Sequence, residues 1–284
     1  MPYTLAHPLF AVPLRRLGLP VAGLAIGAMT PDVPLFLGSA GPRTTASLTA
    51  LGLTYEHTHT IPGILIACLG TGAVLWALWL LVRWPLADAL PRRLRDGLVI
   101  SPTPTPTTPA GVLRAVVALW MGAATHVGLD QFTHEGGWAW RNVAWFREVH
   151  AGLPGTSWLQ YGLSLLGSMG VALLILRALH TAWLRGADTS DPRPVRHSGQ
   201  VPARWLVRAA LLGGLAAGLT SSTSAVLTGP LTSAVFTTVT RVPLLLGLAL
   251  CAAALVWHLL RPDIPADRAR ASRPDDLVRV PAGR

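Results

Sequence analysis

The sequence predicts an all-α fold: a polytopic membrane helical bundle of about five spanning helices plus an N-terminal helical hairpin. Three observations predict it. Hydrophobic residues make up 51% of the 284-residue chain and charged residues only 13%, about half the charged share of a soluble domain. The apolar residues gather into long blocks, as in a chain whose solvent is lipid. The cations are all arginine and stand mostly in short segments between those blocks, where they set topology. That placement also argues against nucleic acid as the partner for the net charge of +10. A nucleic-acid-binding surface would carry its arginines as a stripe on a polar domain.

In chain order, residues 5–17 and 20–37 come first. They are apolar but interrupted by Pro8, Pro13, Pro20, Pro31 and Pro34. Two readings compete: a single span over 20–37, or a hairpin of 5–17 and 20–32 turning at residues 18–20. Each hairpin arm of about 13 residues reaches about 20 Å, short of a bilayer core of about 30 Å. Five blocks then approach the length of a span: 62–82, 112–132, 159–179, 205–227 and 243–260. The fourth is the weakest, because it holds Arg208 and the run TSSTS at 220–224. The fifth is short and is expected to tilt or lie partly at the interface. The opening MPYTLAHPLF has no cationic stretch before its apolar residues, so a cleaved signal peptide is not expected.

Arginine alternates in density along the chain. Segments 83–110, 184–204 and 261–284 hold four, four and six, whereas 38–58, 135–158 and 228–242 hold one, two and one. The positive-inside rule puts the first group, and the C-terminus with it, in the cytoplasm. The expectation is a multi-pass protein of the cell membrane. Segment 101–109, SPTPTPTTP, reads as an extended linker. The tail 261–284, rich in Arg, Asp and Pro, is expected to be disordered. The domains follow: a membrane helical domain over 1–183, a cytoplasmic basic loop over 184–204, a C-terminal pair of membrane helices over 205–260, and the tail. Cys68 and Cys251 sit singly in apolar blocks and read as small packing residues.

Ionisable groups in or beside apolar blocks are expensive and mark functional sites. Here they are His7, Asp32, His57, His59, His126, Asp130 and His134. In ATHVGLDQFTH, His126 and Asp130 are four residues apart, hence about 40° apart on a helix. A His and a carboxylate at that spacing can share a divalent cation. For the pair alone, a hydrogen-bonded seam between packed helices is an equal alternative. His134 continues the same face but lies about 12 Å from His126 along the axis. Either the helix ends near Phe132, or His134 serves a second ion or supports the other ligands. Asp32 stands between Pro31 and Pro34, where the alternative is a plain helix-terminating turn. His57 and His59 precede an apolar block, and their alternative is an interfacial residue at a membrane boundary.

Position decides between these alternatives. With the arginine-based orientation, Asp32, His59, His126, Asp130 and His134 all fall at non-cytoplasmic ends of their segments, which favours a single site. A hairpin turning near residue 19 adds His7, because it sets His7 level with Asp32. A single span would strand His7 on the other side, as a free residue in a frayed terminus. The hairpin is therefore the preferred reading, with Arg15 and Arg16 at its tip.

Histidine and carboxylate donors without thiolate suit a divalent metal, zinc first, with manganese or iron as alternatives. Such an ion brings the pKa of its water towards 7, and Asp32 or Asp130 could act as catalytic base. The expected function is a membrane-embedded metal-dependent hydrolase at the non-cytoplasmic membrane edge. Its partners would be membrane lipid and a lipid, phosphoester or small-molecule substrate. The alternatives are a metal or proton transporter and a structural helix bundle. A transporter would carry ionisable groups at mid-membrane in several spans, which the later blocks largely lack.

The motifs TLAHP, GAMTPD, HTIPG and THVGLDQFTH, with LQYGLSLLG at 159–167, resemble an uncharacterised bacterial membrane family, domain of unknown function 4184, over most of residues 1–180. The order His, Pro-Asp, His, His-x-x-x-Asp is also similar to membrane-bound metal-dependent hydrolases and, more distantly, to zinc-dependent phospholipase C. The resemblance implies metal ligation by His7, Asp32, His59, His126 and Asp130, with His134 as a further candidate. One departure stands out. Those hydrolases show His-Arg-Gly-x-Thr-His-Ser before the second span, whereas here Thr58, His59 and Thr60 stand without the upstream His-Arg-Gly, which argues against a second ion.

Overall fold

Proline removes a backbone donor and starts helices more readily than it continues them. The five early prolines accordingly cut the N-terminal region into short pieces. The computed structural model describes residues 4–97, 108–186 and 201–260. Its first pieces are a 3-10 turn at Thr4–Ala6, helix α1 (Pro8–Ala11) and a 3-10 run at Val12–Leu17. Then come α2 (Val21–Gly27), a 3-10 turn at Thr30–Asp32 and α3 (Val33–Gly38). Gly18, at φ 76°, closes the first arm in the left-handed region, where glycine carries no Cβ penalty. The chain turns there and α2 returns beside α1. The N-terminus is thus a hairpin and not one straight span.

Three short helices follow, α4 (Pro42–Ala50), α5 (Tyr55–Thr58) and α6 (Ile61–Leu65), before the long α7 (Ala67–Ala89) and the short α8 (Arg92–Gly97). Helix α9 (Pro109–Thr133) begins with a Thr108 cap that accepts from the Gly111 N–H. It leads into α10 (Trp138–Asn142), α11 (Ala144–Arg147) and a small antiparallel pair, β1 (Val149–His150) with β2 (Leu153–Pro154). The long helices α12 (Gly155–Arg185), α13 (Val201–Thr228) and α14 (Leu231–Leu259) complete the bundle. Residues 101–107 of the expected linker, most of the 184–204 loop and the 261–284 tail lie outside the described residues.

Six helical segments among the described residues are long and apolar enough to cross a membrane: Val21–Gly38, Ile61–Ala89, Pro109–Asn142, Gly155–Arg185, Arg204–Thr228 and Leu231–Leu259. The chain is an all-α polytopic membrane bundle. The sixth, beyond the expected five, is the returning hairpin arm, and it is broken by the turn at Thr30–Asp32. Helix α14 starts well before its expected block at 243, and α13 stays helical through TSSTS. Thr220, Ser222, Thr223, Thr238 and Thr240 each donate to the carbonyl four residues back. Their hydroxyls are satisfied within the helix, so the polar stretches stay helical.

The returning arm packs between α7 and α9. A Cβ on Gly27 would lie 2.2 Å from the Leu119 carbonyl oxygen, and one on Gly122 would lie 2.4 Å from that of Leu24. Glycine at both positions lets the α2 and α9 backbones touch. The first arm lies against α9 and α12, with Ala6 on Gly167.

Candidate metal centre

Backbone contact between α2 and α9 brings the Ala28 carbonyl against His126. Nδ1 of His126 is 2.7 Å from that oxygen. A carbonyl only accepts, so Nδ1 carries the proton and Nε2 offers a lone pair. His126 is buried and its Nε2 faces two carboxylates, 3.6 Å from Asp32 Oδ2 and 3.3 Å from Asp130 Oδ2. Asp130 lies one turn further along α9 and is also buried.

His59 repeats the arrangement from another segment. It follows α5, and its Nδ1 is 2.8 Å from the Tyr55 carbonyl. Its Nε2 is 3.3 Å from Asp130 Oδ2 and 3.9 Å from Asp32 Oδ1. Asp32 is fully buried in its 3-10 turn, and its Oδ2 accepts from the Thr4 hydroxyl. Thr58 donates to the Pro31 carbonyl at 2.7 Å, tying α5 to that turn.

His7 arrives from the first hairpin arm. Its ring stacks on His126 with centroids 3.7 Å apart, and its Nε2 is 3.8 Å from Asp130 Oδ1. Burial, with His126 alongside, pushes the His7 imidazole down to about 3, so it is neutral at physiological pH. His134 caps the C-terminus of α9, because the helix ends at Thr133. The ring turns back and sets Nδ1 3.4 Å from Asp130 Oδ1. Of the two readings open for His134, the helix end is the observed one. His57 is exposed and stays outside the cluster; it lies two residues from His59 on α5, hence about 200° around the helix.

The donor atoms fit a divalent ion. Both nitrogens of His7, Nε2 of His59, His126 and His134, Asp32 Oδ1 and Asp130 Oδ2 are buried without a hydrogen-bond partner. Each such atom costs about 1–3 kcal/mol if nothing meets it. Two trios, His7–His126–Asp130 and Asp32–His59–His126, each hold one donor per residue within 4.8 Å of the others. The four contacts among Asp32, His59, His126 and Asp130 run from 3.3 to 3.9 Å. Ligands about 2.1 Å from a tetrahedral ion stand about 3.4 Å apart. One imidazole Nε2 serves one ion, so the two trios, which share His126, describe a single centre.

Several supporting groups escaped the sequence reading: Thr4, Thr58, Tyr55 and the Ala28 carbonyl. Tyr55 packs its ring 3.9 Å from that of His59, and burial beside Asp130 and Asp32 raises its hydroxyl above the ordinary tyrosine value. Thr4 and Tyr55 stand three and four residues before His7 and His59, a one-turn spacing that could have marked them.

No curated protein and no solved structure matches the chain. The family model described as Domain of unknown function (DUF4184) matches residues 1–260. That range covers the whole cluster and extends past the motifs at 1–180 to both C-terminal helices. The chain therefore belongs to the DUF4184 family.

Proposed function

We propose that the protein is a membrane-embedded metal-dependent hydrolase acting at the non-cytoplasmic membrane edge on a lipid or other phosphoester. One observation carries the reading: side chains from four separate chain segments aim unpartnered donor atoms at one buried place. In this reading Asp32, His59, His126 and Asp130 hold the ion, and His7 completes the set. When bound, a divalent ion, zinc before manganese or iron, supplies a Lewis acid and brings the pKa of water towards neutrality.

The chain's own groups orient that chemistry. The Ala28 and Tyr55 carbonyls fix the tautomers of His126 and His59. The Thr4 hydroxyl holds Oδ2 of Asp32 and leaves Oδ1 towards His59. Asp130 turns Oδ2 to His59 and His126 and Oδ1 to His7 and His134. A proton taken up on the Oδ1 side would have His134, outside the proposed ligand set and 3.4 Å away, as its neighbouring acceptor. Asp32 and Asp130 are the proposed catalytic carboxylates. The arginine distribution supports a cytoplasmic C-terminus, which puts this end of the bundle at the opposite face.

Metal analysis of protein purified in mild detergent without added metal tests the reading. About one equivalent of zinc, manganese or iron is expected, falling at least about tenfold in His126→Ala. Wild-type protein that carries no divalent metal, and takes up none on dialysis, sinks it.

A further inference from the structure

A second charged group in the membrane domain lies apart from the histidine cluster. Arg241 stands on α14 where its character changes. Residues 232–240 read TSAVFTTVT, and the uninterrupted apolar run begins at Pro243. Its Nε donates to the Ser39 carbonyl at 3.2 Å and its Nη1 to the Ser221 carbonyl at 2.6 Å. Ser221 lies in TSSTS, where α13 makes the same change of character. The guanidinium therefore sits at the boundary between the apolar core and the polar ends of both helices.

Two carbonyls satisfy some of its N–H groups but leave its charge unbalanced. Residues 33–55 and 201–260 contain neither Asp nor Glu, and Asp88, the acid of α7, meets α14 at Trp257, sixteen residues further along from Arg241. No ion pair to Arg241 occurs among the described residues. An arginine at a membrane boundary whose N–H groups meet only carbonyls keeps a positive charge that an anionic group can balance.

The space beside it has matching character. A cleft of about 800 Å³ opens between the α3–α4 connection and α14, lined by Ser39, Thr45, Ala46, Ala50, Phe236 and Arg241 among others. Apart from the guanidinium, its walls are alanine, glycine, proline, phenylalanine, serine and threonine, and the hydroxyls of Ser39, Thr45, Thr49 and Thr240 bond their own backbone. A free phosphate would find one cation and little else. An amphiphile would place an anionic head on Arg241 and hydrocarbon along Ala46, Ala50 and Phe236.

We infer that this cleft binds the headgroup of an anionic phospholipid, with Arg241 as the residue that reads its charge. Native mass spectrometry of the full chain in detergent, supplied with phosphatidylglycerol or phosphatidylcholine, tests it. Wild-type protein is expected to retain phosphatidylglycerol about tenfold more tightly than phosphatidylcholine. Arg241→Gln, which removes the charge and keeps an N–H donor at the Nε position facing Ser39, should abolish that preference, and Arg241→Lys should keep most of it. Ala46→Trp fills the cleft from an exposed position on α4 and leaves Arg241 in place; it should displace phosphatidylglycerol even if Arg241→Gln fails to fold. An excess of inorganic phosphate should leave the lipid bound. Equal retention of the two lipids by wild-type protein, an unchanged preference in Arg241→Gln or Ala46→Trp, or displacement by phosphate would each overturn the inference. Metal content read on the same samples stays at the wild-type level in Arg241→Gln, so failure here and failure of the hydrolase reading give different results.

Discussion

Each end of the bundle buries a carboxylate, and the two ends surround it differently. At the end of α7, Asp88 lies 3.6 Å from Arg95 Nη1 and 3.7 Å from Arg204 Nε, and it accepts from Trp257 Nε1 at 3.1 Å. Arg208 reinforces the junction by donating to the Ala89 carbonyl. Those partners are permanent cations and an indole, so the charge is balanced within the chain and α8, α13 and α14 are fastened to α7. At the other end, Asp32 and Asp130 face histidines whose Nε2 atoms have no partner. The first arrangement is balanced in charge as folded. The second leaves polar atoms aimed inward without a partner, a set that a divalent cation would fit. A buried carboxylate is thus not a functional mark by itself; what distinguishes the two is whether its neighbours still have something to bind.

Four experiments press on that contrast, the largest effect first. Asp130→Asn should cut metal content at least about tenfold, whereas Asp88→Asn should leave it unchanged and lower stability by about 1–3 kcal/mol. Metal analysis and detergent thermal unfolding read the two outcomes, and loss of metal in Asp88→Asn would dissolve the distinction. Next, Gly27→Ala should force α2 from α9, withdraw the Ala28 carbonyl from His126 and weaken metal binding about 10–100-fold. Gly128→Ala has open space at its Cβ and serves as the control; titration with a competing chelator measures both. Thr4→Val removes the hydroxyl that holds Asp32 and should weaken metal binding about tenfold, with helix content by circular dichroism unchanged. The smallest effect belongs to His57→Ala. That side chain is exposed, and its loss should change neither metal content nor stability beyond about 0.5 kcal/mol.

Much of this was legible in the sequence, for identifiable reasons. Helices α7, α9 and α12 announce themselves because lipid demands long apolar runs. The six clustered residues are visible because ionisable groups beside such runs are costly. The first part of α14 was not legible: hydropathy counts a threonine hydroxyl as polar even where it bonds its own helix, as Thr240 does. The Ala28 carbonyl was hidden because a backbone acceptor carries no residue-type signal. Asp88 passed for a loop residue, since nothing local connects it with Trp257, 169 positions away. His57 and His59 look equivalent in EHTHTIPG, and only the direction of the turn at α5 separates them.

The hairpin has a consequence for the site itself. Its tip reaches only part-way along α9, where Leu14 and Leu19 pack with Ala118 and Met121. Ala118 is nine residues beyond the start of α9 at Pro109, a rise of about 13 Å. The two arms therefore widen the bundle around the far part of α9 and leave its first turns without that cover. Arg15 and Arg16 stand exposed at the tip, where the cost of burying a charge favours contact with water or headgroups. The proposed ligands His7 and Asp32 thus hang from a hairpin held by its contacts with α7, α9 and α12, so the site inherits its rigidity from those long helices.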